Sequence, residues 1–288
     1  MSHIVVAVDG SDGSRTALRL GAVLASTTGS EIRTVRCWEY SANLPLPSAL
    51  ADPPSADEVE AEHEKYLTAF LADTLPGRSD VVLRLRRGPA AHKLLEEPSI
   101  GDVDALVVGS RGLGGFTGLI LGSVSRQLVE HATVPVVVVR EDAPVGDQLR
   151  RVVVALDGSD GSARAADWAA TLAEQADAEL VAVHCPVMPQ AELPPEVAVQ
   201  LRDEARELIE TWTAPLRARP VNLTTMVIDD DPRRALPEVA ERHDADLLVV
   251  GARGAGKLRQ LLLGSVADAV ARTSPVPVVV VPGDRPNP

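Results

Sequence analysis

The sequence has few aromatic residues, few cysteines and no long apolar run. Phe, Trp and Tyr together make up 2% of the 288 residues, so the core must be built from Val, Leu, Ile and Ala. Aliphatic strands of this kind are typical of parallel sheets that are buried on both faces. The apolar runs are only a handful of residues long, which is too short to cross a membrane. The two cysteines and an N-terminus without a basic leader or an apolar signal segment predict a cytoplasmic protein.

Basic residues are outnumbered by acidic ones, and the formal net charge is −13. This excess argues against a nucleic acid or an anionic membrane as partner, since both are polyanions. One bound nucleotide is still compatible with it, because a local nest of backbone N–H groups can hold a phosphate whatever the overall charge.

The chain repeats itself once, which decides its organisation. The repeated pairs are VAVDGSDGS (Val6–Ser14) with VALDGSDGS (Val154–Ser162), DALVVGSRG (Asp104–Gly112) with DLLVVGARG (Asp246–Gly254), LILGSVS (Leu119–Ser125) with LLLGSVA (Leu261–Ala267), and VPVVVV (Val134–Val139) with VPVVVV (Val276–Val281). We therefore predict two domains, residues 1–143 and 150–283, joined by the polar linker REDAPVGDQLR at Arg140–Arg150.

Within each half, aliphatic runs alternate with helical patterns. First-half strands are predicted near His3–Val8, Glu31–Cys37, Asp80–Arg86, Ala105–Val108 and Val136–Val139, and helices near Gly13–Thr27, Asp57–Leu75, Ala90–Glu96 and Ser123–His131. Second-half strands are predicted near Arg151–Leu156, Glu179–His184, Asn222–Ile228, Leu247–Val250 and Val278–Val281. The alternation predicts an α/β fold with βαβ crossovers and a doubly wound parallel sheet.

An aspartate directly follows the first strand of each half, at Asp9 and Asp157, and the sequence Gly-Ser-Asp-Gly-Ser comes after it. In one interpretation this turn only caps the next helix, through Ser11 or Ser14. In the other, Asp9 also accepts a hydrogen bond from a base or ribose, or binds a phosphate-bound metal. The return of the aspartate at Asp157 favours the second interpretation.

A glycine pattern follows the fourth strand of each half. Gly-Ser-Arg-Gly at 109–112 is separated by nine residues from Gly122-Ser123, and Gly-Ala-Arg-Gly at 251–254 has the same distance to Gly264-Ser265. Glycines let backbone N–H groups come close to a ligand, and Gly-Ser at the start of a helix sits at the positive end of its dipole. This predicts a phosphate site in each half. The alternative, a flexible glycine-rich loop, does not explain why the spacing occurs twice.

Two other nucleotide motifs are rejected. The segment from Gly251 to Gly256-Lys257 begins like a P-loop, but Leu258 stands where Ser or Thr should hold magnesium, and the first half has Gly115-Phe116 in place of the lysine. A dinucleotide fingerprint fails because no G-x-G-x-x-G follows the first strand.

The V-D-G-S segment after the first strand and the G-x2-G-x9-G-S pattern after the fourth resemble the universal stress protein family, over both halves. The chain looks like a tandem member of its ATP-binding branch. The resemblance implies two Rossmann-like (adenine-nucleotide hydrolase-like) domains, each a five-stranded parallel sheet with helices on both faces, and ATP, with or without Mg²⁺, as the ligand.

The resemblance also implies which residues bind the ligand. In the first half, ribose and phosphate contacts fall on Asp9, Gly109, Arg111, Gly112, Gly122, Ser123, Val124 and Ser125, and adenine contacts on Ala7, Val8, Cys37 and Val108. In the second half they fall on Asp157, Gly251, Arg253, Gly254, Gly264, Ser265, Val266 and Ala267, with adenine against Ala155, Leu156, Cys185 and Val250.

Three departures between the halves predict ATP sites of unequal affinity. Ala267 replaces Ser125, which leaves the second site one hydroxyl fewer for phosphate. The spacer AGKLRQLLL is more basic than LGGFTGLIL, and Arg36 stands where the second half has His184.

The resemblance further implies that the two halves pair through their last strands, and a homodimer of the whole chain is expected.

No nucleophile–base pair and no metal-ligand spacing recur in both halves, so we predict neither catalytic residues nor a metal site. The main hypothesis is a nucleotide-dependent regulator in the stress response, with protein partners that the sequence does not identify. The alternatives are an interaction scaffold with empty sites, and an enzyme that uses or slowly hydrolyses ATP.

Overall fold

The computed structural model describes residues 2–39, 55–112, 121–186, 194–255 and 263–283. The first-half elements are β1 (His3–Ala7), α1 (Asp12–Thr28), β2 (Glu31–Trp38), α2 (Ala56–Thr74), β3 (Val81–Arg87), α3 (Ala90–Ile100), β4 (Val103–Gly109), α4 (Ser123–His131) and β5 (Val136–Val139). The second-half elements are β6 (Arg151–Leu156), α5 (Asp160–Ala176), β7 (Glu179–His184), α6 (Pro195–Arg217), β8 (Asn222–Val227), α7 (Pro232–Arg242), β9 (Leu247–Gly251), α8 (Ser265–Thr273) and β10 (Val278–Val281). Each predicted strand and helix is present, with ends that differ by a few residues at most.

The strands form one sheet of ten in the order β3-β2-β1-β4-β5-β10-β9-β6-β7-β8. Within each half all neighbouring strands are parallel. The strand order reverses between β1 and β4, and again between β6 and β9, because the chain leaves the first strand of each half to one side and returns on the other. In open parallel sheets such a reversal opens a crevice at the carboxyl ends of the strands.

The last strands of the two halves join them into one sheet. β5 and β10 pair antiparallel, with Val137 opposite Val279. All four residues of each strand are buried. An apolar strand at a sheet edge invites non-native pairing, and here each half covers the exposed edge of the other.

Two apolar layers lie on the two faces of the sheet. One contains the buried faces of α1, α2, α5 and α6, and the other those of α3, α4, α7 and α8. Valine and alanine supply most of these contacts, as the low aromatic content predicts. Alternate residues of a strand point to opposite faces, so strands rich in valine serve both layers.

α3 runs four residues beyond its predicted end at Glu96 and includes Pro98. Proline there removes one main-chain hydrogen bond, and the sequence pattern therefore ends the helix too early. The next residue after the predicted end, Glu97, is fully buried and ion-paired, and this tertiary contact keeps the last turn against the sheet.

Glu97 lies among three arginines of β2 and β3. Its Oε2 is 3.4 Å from Nη1 of Arg33 and 3.2 Å from Nη1 of Arg84, and its Oε1 is 3.2 Å from Nη1 of Arg86. We call these four residues the Glu97 cluster. No pattern in the sequence predicts it, because its members are distributed over three elements.

The second half has apolar side chains at the same places. Strand registers and helix starts align Arg33, Arg84, Arg86 and Glu97 with Val181, Met226, Ile228 and Val239. Val181 and Val239 are buried, and Met226 and Ile228 pack against the same layer. One fold thus fills the same space with an ionic cluster in one half and with hydrocarbon in the other.

Candidate functional site

A cavity of about 450 Å³ opens at the carboxyl ends of β1, β2 and β4, where the strand order reverses. The twelve residues that the resemblance assigns in the first half all line it: Ala7, Val8, Asp9, Cys37, Val108, Gly109, Arg111, Gly112, Gly122, Ser123, Val124 and Ser125. A volume of this size is within the ordinary range of small-molecule sites.

The cavity has further walls that the sequence analysis missed: Ser11, Ser14, Val35, Ala90, Leu94 and Leu121. The sequence pattern could have predicted Val35, because this residue lies two positions before Cys37 and therefore on the same face of β2. Ala90 and Leu94 lie one turn apart on α3, but only the packing of α3 beside β2 brings them to the cavity. Most of these residues are apolar, so the cavity has more apolar wall than the sequence analysis predicted.

The turn after β1 fixes the position of Asp9. Oδ1 of Asp9 accepts hydrogen bonds from the backbone N–H of Ser11 (2.9 Å) and from its hydroxyl (2.6 Å). Ser11 in turn caps α1 by accepting from the N–H of Ser14 at 3.2 Å. Ser11 therefore caps the helix, as the first interpretation has it. Asp9 lines the cavity, and its contact with a ligand stays a prediction.

The glycines after β4 allow two close approaches. A Cβ on Gly109 would come within 2.9 Å of the backbone carbon of Gly13, so this glycine lets the end of β4 meet the first turn of α1. A Cβ on Gly112 would collide with Oδ2 of Asp9. The absence of that methyl group is what allows the glycine loop and the aspartate to share one wall of the cavity.

The start of α4 offers backbone donors to the cavity. Gly122 is the N-cap residue, and its own N–H donates to the carbonyl oxygen of Ser110 at 2.8 Å. The N–H groups of Ser123, Val124 and Ser125 have no acceptor within the helix, as in the first turn of any helix. The phosphate-binding donors that the sequence assigns to Gly122-Ser123 therefore begin one residue later, at Ser123.

Ser125 has a structural role that the sequence analysis did not foresee. Its hydroxyl is buried and donates to the carbonyl oxygen of Gly109 at 2.6 Å. In this structure the proton of the hydroxyl holds the end of β4 against α4, and a contact of Ser125 with a phosphate stays a prediction. The corresponding Ala267 of the second half lacks this internal bond.

The second half builds the same turn. Oδ1 of Asp157 accepts from the N–H (3.1 Å) and the hydroxyl (2.6 Å) of Ser159, and Oδ2 accepts from the N–H of Ala255 at 2.8 Å. Burial acts to raise the pKa of Asp157, but these hydrogen bonds prevail and hold it below its usual value. Asp157 is therefore a carboxylate at neutral pH.

The other second-half residues also come together. A Cβ on Gly254 would collide with the Asp157 carboxylate, and one on Gly251 would come within 2.7 Å of the Gly161 backbone. Gly264 caps α8, which begins at Ser265, and donates its N–H to Ala252 at 2.8 Å. Ala155, Cys185, Val250, Val266 and Ala267 pack in one apolar layer, Leu156 is buried on the opposite face, and Arg253 lies beside Gly283.

The two cysteines are expected to react slowly with thiol reagents. Burial raises the pKa of Cys37 to about 11 and that of Cys185 to about 12, which lowers the thiolate fraction at any pH below these values. At pH 8 we expect alkylation by iodoacetamide to be roughly a hundredfold slower for Cys37, and roughly a thousandfold slower for Cys185, than for an unburied cysteine. Peptide mass spectrometry over time measures both rates in one sample, and labelling as fast as that of free cysteine would contradict the prediction.

The acidic run before α7 is a helix start. Asp231 caps the helix by accepting from the N–H of Arg233 at 2.9 Å, and Pro232 occupies the first helical position. In the described ranges, no three His, Cys, Asp or Glu side chains come together in a way that could hold a metal ion.

The described helices include none with the length and apolar character needed to span a bilayer. Most of the two spacers, including Gly256-Lys257, lies outside the described residues.

Comparisons with known proteins agree with this geometry. The sequence model of the Universal stress protein family matches residues 1–140 and 148–282. The chain is 30% identical over 297 residues to universal stress protein Rv2623 of Mycobacterium tuberculosis, covering 96% of this chain and 95% of that one. It is 37% identical over 186 residues to universal stress protein Rv2005c of the same organism, covering 62% of each. The crystal structure of a universal stress protein from Archaeoglobus fulgidus shares the fold, with a TM-score of 0.65 at 21% identity, over 97% of this chain and 96% of that one.

Proposed function

The chain belongs to the universal stress protein family as a tandem member, and we propose that it is a regulator in the stress response whose state depends on bound ATP. The observation that carries the proposal is the cavity at the reversal of strand order. It joins an aspartate, a glycine loop and a helix N-terminus within about 450 Å³. The expectation of a cytoplasmic location stays a prediction.

The two ends of the cavity differ in chemistry in the way that a nucleotide requires. The base end has apolar walls, among them Val35, Cys37, Leu94 and Val108. Asp9 lines the same cavity, and its carboxyl group is proposed to accept hydrogen bonds from ribose hydroxyls. A flat apolar base and a polyanionic tail would thus each meet suitable groups.

The first turn of α4 supplies the phosphate end. Three N–H groups, those of Ser123, Val124 and Ser125, lie at the positive end of the helix dipole, and Arg111 adds a full positive charge to the wall. A hydrogen bond from an N–H to a charged phosphate is worth about 1.5–3 kcal/mol. Three of them approach the ~8 kcal/mol of a micromolar complex before ordering costs are subtracted. Mg²⁺, if bound, would be carried by the phosphates.

The chemistry of the cavity favours binding over catalysis. Among the described residues that line it there is no histidine or lysine, and the hydroxyls of Ser11, Ser14 and Ser125 are donated to other groups of the protein. Cys37 is protonated at neutral pH, since burial raises its pKa to about 11. We therefore propose that any hydrolysis of ATP is slow and incidental.

Both halves are proposed to bind ATP, with unequal affinity. The second half repeats the aspartate turn and the glycine loop. At Ala267, however, it lacks the hydroxyl that fastens the end of β4 to α4 in the first half. The difference in affinity is then expected to come from a looser loop in the second site, and not from a missing phosphate contact.

The proposal is tested by adding ATP to nucleotide-free protein. ATP at 100 times its dissociation constant should raise the free energy of unfolding by about 2.7 kcal/mol for each site that it occupies. Urea unfolding with and without ATP measures this. Asp9→Ala should reduce the gain by the share of one site, and ADP, AMP and GTP define the specificity.

Each alternative has its own result in the same experiment. No stabilisation by any of these nucleotides would overturn the proposal and leave the interaction scaffold. Release of AMP or ADP that depends on an added substrate would show an ATP-using enzyme. Mass spectrometry of the denatured protein, purified without added nucleotide, identifies any small molecule that it already carries.

A further inference from the structure

Arg36, at the end of β2, connects three parts of the first half. Its Nη1 donates to the carbonyl oxygen of Asp9 at 2.9 Å, and its Nε donates to Nδ1 of His63 at 3.2 Å. The guanidinium carbon lies 4.3 Å from the centre of the Tyr66 ring. Burial, and after it the charge of Arg36, lowers the pKa of His63, so this ring is neutral and able to accept at pH 7. None of these three side chains lines the cavity.

Tyr66 covers the glycine that follows Asp9. Gly10 has a φ of 98°, and a Cβ there would collide with the hydroxyl of Tyr66. The aspartate turn is therefore held from behind by two side chains, with Arg36 on the carbonyl of Asp9 and Tyr66 on Gly10. Hydrogen bonds within the turn itself also contribute, among them the one from the N–H of Gly10 to the hydroxyl of Ser14.

The second half makes the same arrangement from different residues. His184, which is buried, has its Nδ1 2.8 Å from the carbonyl oxygen of Leu156, and its ring meets that of Trp212 edge-on at 4.9 Å. Trp212 covers Gly158, which has a φ of 75°. In both halves a side chain from the end of the second strand bonds the main chain at the end of the first strand and rests on an aromatic ring of the long helix. The repeat keeps the arrangement while both side chains differ.

We propose that Arg36 and Tyr66 are positioning residues of the first nucleotide site: they hold the aspartate turn so that the Asp9 carboxylate faces the ligand. This rests on the proposed function. A binding group must be held within about 0.5 Å of its working position by the residues behind it. The bond from Arg36 is charge-assisted, and the stacked ring of Tyr66 restricts the guanidinium further.

The test compares ATP affinity at the first site, in a Gly254→Ala background that disables the second. Arg36→Gln and Tyr66→Leu should each weaken ATP binding about tenfold in isothermal titration, at a temperature well below the melting transition. Tyr66→Phe, which keeps the ring against the Arg36 guanidinium, should retain most of the affinity. Arg242→Gln, on an exposed helix surface, is the matched control and should bind like the parent.

A double-mutant cycle with Asp9 separates positioning from general stability. If Arg36 acts through Asp9, then Arg36→Gln should weaken binding tenfold in the parent and hardly at all in Asp9→Ala. Equal losses in both backgrounds, or unchanged affinity in a folded Arg36→Gln protein, would overturn the inference and leave the proposed function standing. If neither the Gly254→Ala parent nor the natural chain, in which Gly254 is restored, binds ATP, the proposed function is wrong, and the inference falls with it.

Discussion

Glu97→Val alone is expected to destabilise the chain by about 3–5 kcal/mol, although valine is the residue that the second half has at this position. The reason is that Arg33 and Arg84 would lose the carboxylate that they pair with, and Arg86 would keep only its pair with Glu96. Only 7% of the Arg33 side chain is exposed, so its guanidinium cannot turn to water. The side chains of Arg84 and Arg86 are 31% and 20% exposed. Urea unfolding followed by circular dichroism measures the loss.

The full transplant should behave in the opposite way. The variant Arg33→Val/Arg84→Met/Arg86→Ile/Glu97→Val gives the first half the four apolar side chains of the second half. In the second half these side chains pack together on an equivalent backbone. Replacing a complete buried ion cluster by packed hydrocarbon is commonly neutral or stabilising by about 1–4 kcal/mol. We expect the quadruple variant to be at least as stable as the parent.

A matched control shows whether burial causes the effect. Glu238→Val removes a carboxylate from an exposed pair with Arg242, 3.1 Å away, on the equivalent helix of the second half. Exposed pairs contribute about 0–1 kcal/mol, so little change is expected. A Glu97→Val protein as stable as the parent, or a quadruple variant as unstable as Glu97→Val, would refute the account of the cluster.

Gly112→Ala is expected to abolish nucleotide binding in the first half and to leave the second half intact. The added methyl group would collide with the carboxylate of Asp9, the group proposed to accept from the ribose. Gly112 has no positive φ, so alanine introduces no backbone strain and the change acts on the carboxylate alone. We expect affinity at this site to fall at least a hundredfold, about 2.8 kcal/mol, which takes a micromolar site out of the range of the titration.

Gly254→Ala is the equivalent variant of the second half, because its methyl group would collide with the carboxylate of Asp157. Isothermal titration with ATP should give a stoichiometry of one for either variant and none for the pair combined. Gly146→Ala is the control: its Cβ would meet the nearest atom at an ordinary 3.6 Å. If both single variants keep the affinities and stoichiometry of the parent, the aspartate–glycine contact is not part of a ligand site.

Local sequence patterns predicted the elements and most of the site. The strands are short aliphatic runs, and the repeat gave two independent views of each, so their positions needed no tertiary information. Residues that line the cavity were predictable where they lie at the end of a strand or the start of a helix: Asp9 shortly after β1, Gly109 at the end of β4 and Ser123 at the start of α4. Parallel strands bring their carboxyl ends to one edge, so residues distant in the chain must meet there.

The strand order decided what the sequence could not. Ala90 and Leu94 reach the cavity only because α3 packs beside β2, which lies next to β1. The same order gathers Arg33 and Glu97 into one buried cluster and brings the hydroxyl of Ser125 to the carbonyl oxygen of Gly109. Periodicity records which face of an element is apolar, but it holds no information on which distant side chain that face will meet. The choice between an ionic and an apolar filling of the same space belongs to the packed structure, since either filling is stable only when all of its members are present.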